Sequence, residues 1–238
     1  MNSVKIKSRT GRPRAGSASG GGAGRRRAAY HHGDLRQQLL IAAEEIILER
    51  GVDGFTLREA ARRAGVSPAA PAHHFKDARG LLTEVALLGF RDFGKALESA
   101  DEAGGTDPTR RLQELARAYV RFALENPARF QLMFRHDKHD HSNEEFVSVA
   151  GHSYNVLERV IRAATNTLPD QELAPDSYGL LLAMWSLVHG FSHLALGGEL
   201  NLRDVKTSEK SASEAKARIV DSLLPLLLNH LPKTPVTA

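Results

Sequence analysis

From residue 34 onward almost every segment of this chain repeats apolar side chains at helical spacing, opens on a capping residue and stops at a helix breaker. No segment alternates apolar and polar residues as a half-buried strand does, so the fold class is expected to be all-α. A first helix should run from Asp34, its N-cap, to Arg50, with Leu35, Leu39, Ala42, Ala43 and Ile46 on one face and Gly51 as the stop. Thr56 and Glu59 form the capping box of a short second helix that ends before Gly65. Ser67 and Pro68 open a third that reaches Phe75, although Pro71 withdraws one backbone donor. Further helices are expected from Asp77 to about Glu98, from Asp107 to Asn126, and over Pro127–Phe134, Asn143–Leu168, Pro175–Leu196 and Ser213–Leu231, the last kinked at Pro225.

The 238 residues are 42% hydrophobic and 25% charged, enough for a sizeable globular core. There is no cysteine, which excludes disulfide frameworks, thiolate zinc sites and thiol catalysis. The start MNSVKIKSRTGRPR has no apolar run behind it, so secretion is not expected and the chain reads as cytoplasmic. Residues 179–198 carry no formal charge over the ~20 residues a membrane span needs. That stretch contains His189, His193, Ser186 and Ser192, breaks at Gly190 and is flanked by Asp176 and Glu199, so a buried helix is expected and no membrane.

Charge is unevenly spread. Residues 1–80 hold fifteen Lys and Arg against seven acids, whereas the whole chain is only +4, so the remainder is net acidic and a polyanion partner is expected for the first third. Within it, TLREAARRAGVSPAAPAHHF (Thr56–Phe75) reads as two short helices around a Gly65-Val66 corner, a helix-turn-helix. Its second helix would lie in the major groove, with Arg58, Arg62 and Arg63 of the first near phosphates. The alternative is an ordinary helical hairpin with a solvated basic face.

YHHGDLRQQLLIAAEEIILERG, then GFTLREAARRAGVSPAAPAHHF and the helix opening RGLL, resemble the amino-terminal domain of the tetracycline-repressor (TetR) family over residues 30–90. MWSLVHG (Met184–Gly190) resembles the Trp-His-Gly (WHG) motif of one class of carboxy-terminal ligand domain in that family. The resemblance implies a homodimeric, all-helical regulator that leaves a double-stranded DNA operator, a palindrome, when a small-molecule effector binds the larger domain. The chain then divides into a basic tail over residues 1–29, disordered in isolation, a three-helix helix-turn-helix domain over 30–80, and a helical effector-binding and dimerisation domain over 81–238. Residues expected at DNA are Thr56, Arg58, Ser67, Ala69, Ala70, Ala72, His73, Lys76 and Arg79, with Arg25, Arg26 and Arg27 of the tail. Ala72 stands where the family usually carries an aromatic and Ala78 where it usually carries a lysine; Lys76 and Arg79 flank the second position. With so many alanines the recognition helix offers mostly methyl contacts, and His74 packs inward or faces the bases. Arg9, Arg12 and Arg14 supply either a non-specific phosphate arm or an arm in an A·T-rich minor groove.

Tyr119, Phe122, Phe130, Met133, Phe134, Tyr154, Met184, Trp185 and His189 are the residues expected around the effector, which should be apolar or aromatic. His189 is either a satisfied core histidine or a ligand contact. The pair His189 and His193, with His136, His139, His141 and His152, raises metal binding as an alternative, but HDKHDH lacks regular ligand spacing and no metal or other cofactor is expected. No GxSxG, phosphate loop or HExxH is present, so no enzymatic activity is expected. The alternative is a helical protein-interaction or metal-sensing domain without effector-controlled DNA release.

Overall fold

In a computed structural model, residues 24–200, 214 and 216–229 are described, and every regular element among them is helical. In order these are α1 (Gly24–Arg50), a 3₁₀ turn (Val52–Gly54), α2 (Leu57–Arg63), α3 (Ala72–Phe75), α4 (Ala78–Ala103), α5 (Pro108–Glu125), α6 (Pro127–Met133), α7 (Glu144–Ala164), α8 (Pro175–Leu196) and α9 (Leu224–Asn229). The α4 helix is the hub. It meets α1 and α3 at its start and α5, α6 and α7 beyond, so one long helix belongs to both halves of the molecule.

Capping fixes most helix starts as the sequence indicates. Thr56 Oγ1 accepts the Glu59 amide at 3.2 Å, Asp77 the Gly80 amide at 2.9 Å, Asp107 the Thr109 amide at 2.9 Å and Asn143 the Phe146 amide at 3.0 Å, each satisfying a donor the helix leaves free. The Thr56–Glu59 box is only half formed, because the Glu59 carboxylate is taken by Arg62 and Arg63.

Five boundaries differ from expectation. α4 continues past Glu98 to Ala103, where Gly104 caps it. α1 begins at Gly24 rather than at Asp34 and so takes in residues 24–29 of the expected tail; the GRRRAA stretch is rich in good helix formers, and Gly33 costs only ~1 kcal/mol inside a helix. The third helix is α-helical only over Ala72–Phe75. Pro71 has no amide to give to Ser67, and the chain before it turns instead through i+3 bonds, Ala70 to Ser67 at 3.0 Å and Ala72 to Ala69 at 3.2 Å. α7 stops at Ala164, short of Leu168, as Asn166 adopts the left-handed conformation (φ 54°). The final helix, α-helical at residues 214 and 216–218, passes through a π turn over Ile219–Leu223 just ahead of Pro225, where a missing amide already interrupts the α-ladder; residues 213, 215 and 230–231 of the expected span lie outside the described residues.

Buried apolar side chains run continuously from Leu39, Ala43 and Ile46 of α1 through Leu81 and Val85 of α4 to Val120, Phe130, Val160 and Leu181. Buried or half-buried ionic links tie the layers of this core together. Asp101 of α4 accepts from Arg111 of α5 at 2.5 Å and from Arg159 of α7 at 2.7 and 3.1 Å. Arg129 of α6 reaches Glu44 of α1 at 2.9 Å and Asp92 of α4 at 2.8 Å. α8 is long and apolar enough to cross a membrane by length and composition, with mean hydropathy 1.4, but Leu181, Met184, Val188 and Phe191 are buried and the helix packs on α5 and α7.

Candidate nucleic-acid interface and ligand cavity

The corner between α2 and α3 presents a small exposed surface. Thr56, Arg58, Ser67, Ala69, Ala72, His73, Lys76 and Arg79 are exposed or half-exposed and Ala70 is half-buried, while Pro71 and Phe75 point inward and hold the short helix to the core. The Arg36 guanidinium lies 5.5 Å over the Phe75 ring and also pairs with Glu84, closing this domain against the start of α4. His74 is half-buried, its ring 6.2 Å from that of Phe75.

Arg62 and Arg63, expected near phosphates, are paired with acids of their own domain, the first at an exposed position and the second largely buried. Arg63 donates to Glu49 of α1 at 2.5 and 2.8 Å and to Glu59 at 3.2 Å, and Arg62 grips Glu59 at 2.8 Å, so both guanidinium groups are engaged by acids of α1 and α2. The hydrogen bond from Arg62, with help from Arg63, holds the Glu59 carboxyl down at about 2. The sequence could not show this because Glu45 and Glu49, although close in number, reach α2 only once the helices cross. Arg58, Lys76 and Arg79 make no ion pair within 4 Å among the described residues. The side chains of Arg25, Arg26 and Arg27, and all of Arg9, Arg12 and Arg14, lie outside the described residues.

Between α3 and α4 the backbone makes a three-residue turn: the Asp77 amide donates to the Phe75 carbonyl at 2.7 Å across Lys76, whose φ is 66°. Gly80 packs under this turn. A Cβ there would sit 2.0 Å from the Phe75 carbonyl oxygen, so backbone rather than a flexible side chain would have to move. Gly80→Ala is therefore expected to displace α3 from α4, destabilise the fold by about 1–3 kcal/mol and lower any affinity of this surface for DNA at least tenfold. Melting curves with DNA titrations check it, and unchanged affinity would show that α3 does not depend on this contact.

The carboxy-terminal helices border a cavity of about 310 Å³, partly open to solvent, between α4, α5, α6, α7 and α8. Tyr119, Met133, Phe134, Tyr154, Met184 and Trp185 line it, as do Phe90, Phe93, Phe146 and Ser153, which sequence reasoning did not single out. Phe122, Phe130 and His189 do not line it. Phe122 and Phe130 face the packed side of the same helices, and helical period gives a buried face without telling which part of it is hollow. His189 stands one layer back, its Nδ1 2.8 Å from the Tyr119 hydroxyl. Burial pushes the Tyr119 hydroxyl up and His189 down, which favours the neutral form of each. In this arrangement His189 orients a wall residue.

His136 and His141 also line the cavity. Their rings stack at 5.1 Å, and His141 Nε2 lies 2.8 Å from the His136 carbonyl. His139 between them is fully buried; its Nε2 bonds the Leu132 carbonyl at 2.6 Å, and burial pushes its pKa down. Among the described residues no three His, Asp or Glu side chains are grouped to hold a metal ion. The polar run HDKHDH reads from sequence as a solvated loop, and only the return of the chain from α6 to α7 brings its imidazoles to the cavity.

The same loop touches the amino-terminal half. Arg135 donates to both carboxylate oxygens of Asp53 at 2.9 Å, Lys138 lies 2.7 Å from Asp53, and the Asp140 amide donates to Thr83 Oγ1 at 2.9 Å. Hydrogen bonds from Ser142 hold the Asp140 carboxyl below its usual range, and the fields of Arg79 and Lys76 add to this.

An exposed two-helix corner on a helical body with an internal cavity invites comparison with known proteins. The family model described as "Bacterial regulatory proteins, tetR family" matches residues 39–85, and that described as "Tetracyclin repressor-like, C-terminal domain" matches residues 112–225. This chain belongs to the TetR family. As a TetR-family protein it is a DNA-binding transcriptional regulator with an amino-terminal helix-turn-helix domain and a helical carboxy-terminal domain. It is similar to a protein of unknown function from Rhodococcus sp. RHA1, 33% identical over 82% of this chain and 96% of the other, with a TM-score of 0.60. The uncharacterized HTH-type transcriptional regulator YobS of Bacillus subtilis (strain 168) is 28% identical over 155 residues, 63% of this chain and 73% of the other. The TetR-family regulator PfmR of Thermus thermophilus shares the fold at 21% identity, covering 78% of this chain and 95% of the other with a TM-score of 0.54.

Proposed function

We propose that this TetR-family protein is a cytoplasmic, ligand-responsive repressor that leaves a palindromic operator when a small apolar or aromatic effector fills the 310 Å³ cavity. One observation carries the reading: the loop between α6 and α7 lines the cavity with His136 and His141 and grips the helix-turn-helix domain through Asp53 and the start of α4 through Thr83. A ligand that prefers one position of that loop shifts DNA affinity by its differential affinity for the two states, and DNA shifts ligand affinity equally. MWSLVHG, with Trp185 in the wall and His189 behind Tyr119, supports placing the effector domain in the Trp-His-Gly class.

The working unit is a homodimer joined through α8 and the last helix. Tyr178, Leu182 and Leu194 of α8 and Leu226 of α9 are apolar and at least two-fifths exposed, and Gly179, Ala183, Ser186 and Gly190 keep the exposed side of α8 small enough for a second copy to approach closely. Light scattering should give twice the 26.0 kDa of one chain, and a monomer at micromolar concentration would defeat this arrangement.

Bases are read by Ser67, His73 and the methyl groups of Ala69, Ala70 and Ala72, with Thr56, Arg58, Lys76 and Arg79 on phosphates and Arg25, Arg26 and Arg27 adding a basic arm. The test is to select bound fragments from the source genome and measure affinity against salt. Replacing Lys76 and Arg79 together by Ala should flatten the slope of log affinity against log salt by roughly 0.9 for each phosphate no longer neutralised, uniformly across sequences. An unchanged slope would remove both residues from the interface.

A further inference from the structure

Among the described residues no Lys, Arg, Asp or Glu lines the cavity; seven of its wall residues are Phe, Tyr or Trp, and the rest are mainly aliphatic or Met. A carboxylate or phosphate there would leave water with no Lys or Arg to meet it and only the imidazoles of His136 and His141, which stack on each other at 5.1 Å. Size narrows the ligand further. A cavity of roughly 150 Å³ holds one benzene ring, so about 310 Å³ suits two or three fused rings, whose faces and edges match the aromatic wall. Beside the imidazoles and the tyrosine hydroxyls of this wall, Ser153 of α7 is buried, and its Oγ has no hydrogen-bond partner among the described residues. A buried hydroxyl without a partner is costly, and a serine hydroxyl turns readily about χ1 to meet a ligand atom.

We propose that the cavity takes an uncharged ligand of two or three fused rings whose single hydroxyl or carbonyl group bonds Ser153 Oγ. This rests on reading the cavity as the effector site. It ranks fatty acids, acyl thioesters of phosphorylated carriers and aromatic carboxylates below such a ligand, since each brings an anion that no Lys or Arg of the wall meets.

Calorimetric titration of the full-length protein with naphthalene, 2-naphthol, 2-naphthoate and octanoate tests it. 2-Naphthol is expected to bind at least tenfold more tightly than either carboxylate. Ser153→Ala should weaken 2-naphthol about two- to tenfold, the range of one neutral hydrogen bond, and leave naphthalene unchanged. Ala150→Leu, on the same wall, should weaken both and so locate them. Tighter binding of 2-naphthoate or octanoate, or equal losses of naphthalene and 2-naphthol in Ser153→Ala, would overturn the ligand class while leaving an effector cavity in place. If none of the four binds, the cavity is not a ligand site, and the proposed function falls with the ligand class.

Discussion

Asp101→Ala is expected to destabilise the protein by about 2–3 kcal/mol, because it leaves the largely buried Arg111 without its carboxylate, while the more exposed Arg159 turns to water. At roughly 2–4 °C per kcal/mol for a chain of this size, the melting temperature should fall by roughly 4–12 °C. The pair is positioned by close backbone packing: a Cβ on Gly104 would lie 2.5 Å from the Arg111 Cα, so the turn after α4 presses directly on α5 where Arg111 leaves it. Burial opposes ionisation of Asp101, but the hydrogen bonds from Arg111 and Arg159 outweigh it and hold the carboxyl below its ordinary value of 3.8. A group depressed in the folded state contributes fully above its unfolded pKa and loses that contribution as pH falls through the folded one. The gap between wild type and variant should therefore be the same at pH 7 and pH 5 and shrink only below about pH 4. Melting curves at pH 7, 5 and 3 check this, and a variant melting within about 2 °C of wild type at pH 7 would show that the triad holds nothing together.

The sequence carried the fold further than the site, for physical reasons. Thr56, Asp77, Asp107 and Asn143 each announce a helix start because a cap is a local interaction between a side chain and an amide two or three residues on. Asp34 and Ser67 failed as starts where something other than capping decides, helix-forming residues before Asp34 and the missing Pro71 amide after Ser67. The cavity was legible only as a set of large side chains on the inner faces of α5, α6, α7 and α8. Which of them border empty space depends on how far apart the helices stand, so Phe122 and Phe130 could not be told from Tyr119 and Met133. His136 and His141 were hidden for the opposite reason: their neighbours are polar, and a polar run gives no sign of the surface it will be folded against. Arg62 and Arg63 show the same limit at the DNA side, since charge on a helix face is blind to the acids that claim it once the helices pack.

The double variant Asp53→Asn, Thr83→Val is expected to bind operator and ligand nearly as well as wild type but to lose the connection between them. Asp53 lies in the turn between α1 and α2 and receives Arg135 and Lys138; Thr83 lies on α4 and receives the Asp140 amide while donating to the Arg79 carbonyl. These are the contacts by which the loop bearing His136 and His141 holds the helix-turn-helix domain. The Asp53 carboxylate is exposed, so its ion pairs add only about 0–1 kcal/mol to stability, and the variant should fold. Coupling between two sites needs no more than about 1–3 kcal/mol, a factor of roughly 5–150 in affinity, so contacts too weak to matter for folding are strong enough to carry it. The measurement uses a labelled operator fragment selected from the source genome, titrated with and without saturating 2-naphthol. Wild type should lose tenfold or more in DNA affinity when the ligand is present, and the double variant no more than about twofold, with 2-naphthol affinity in the absence of DNA within about threefold of wild type. An undiminished ligand effect in the double variant would mean that the signal leaves the cavity by another route, through α4 itself, and that the loop merely rests on the domain it touches.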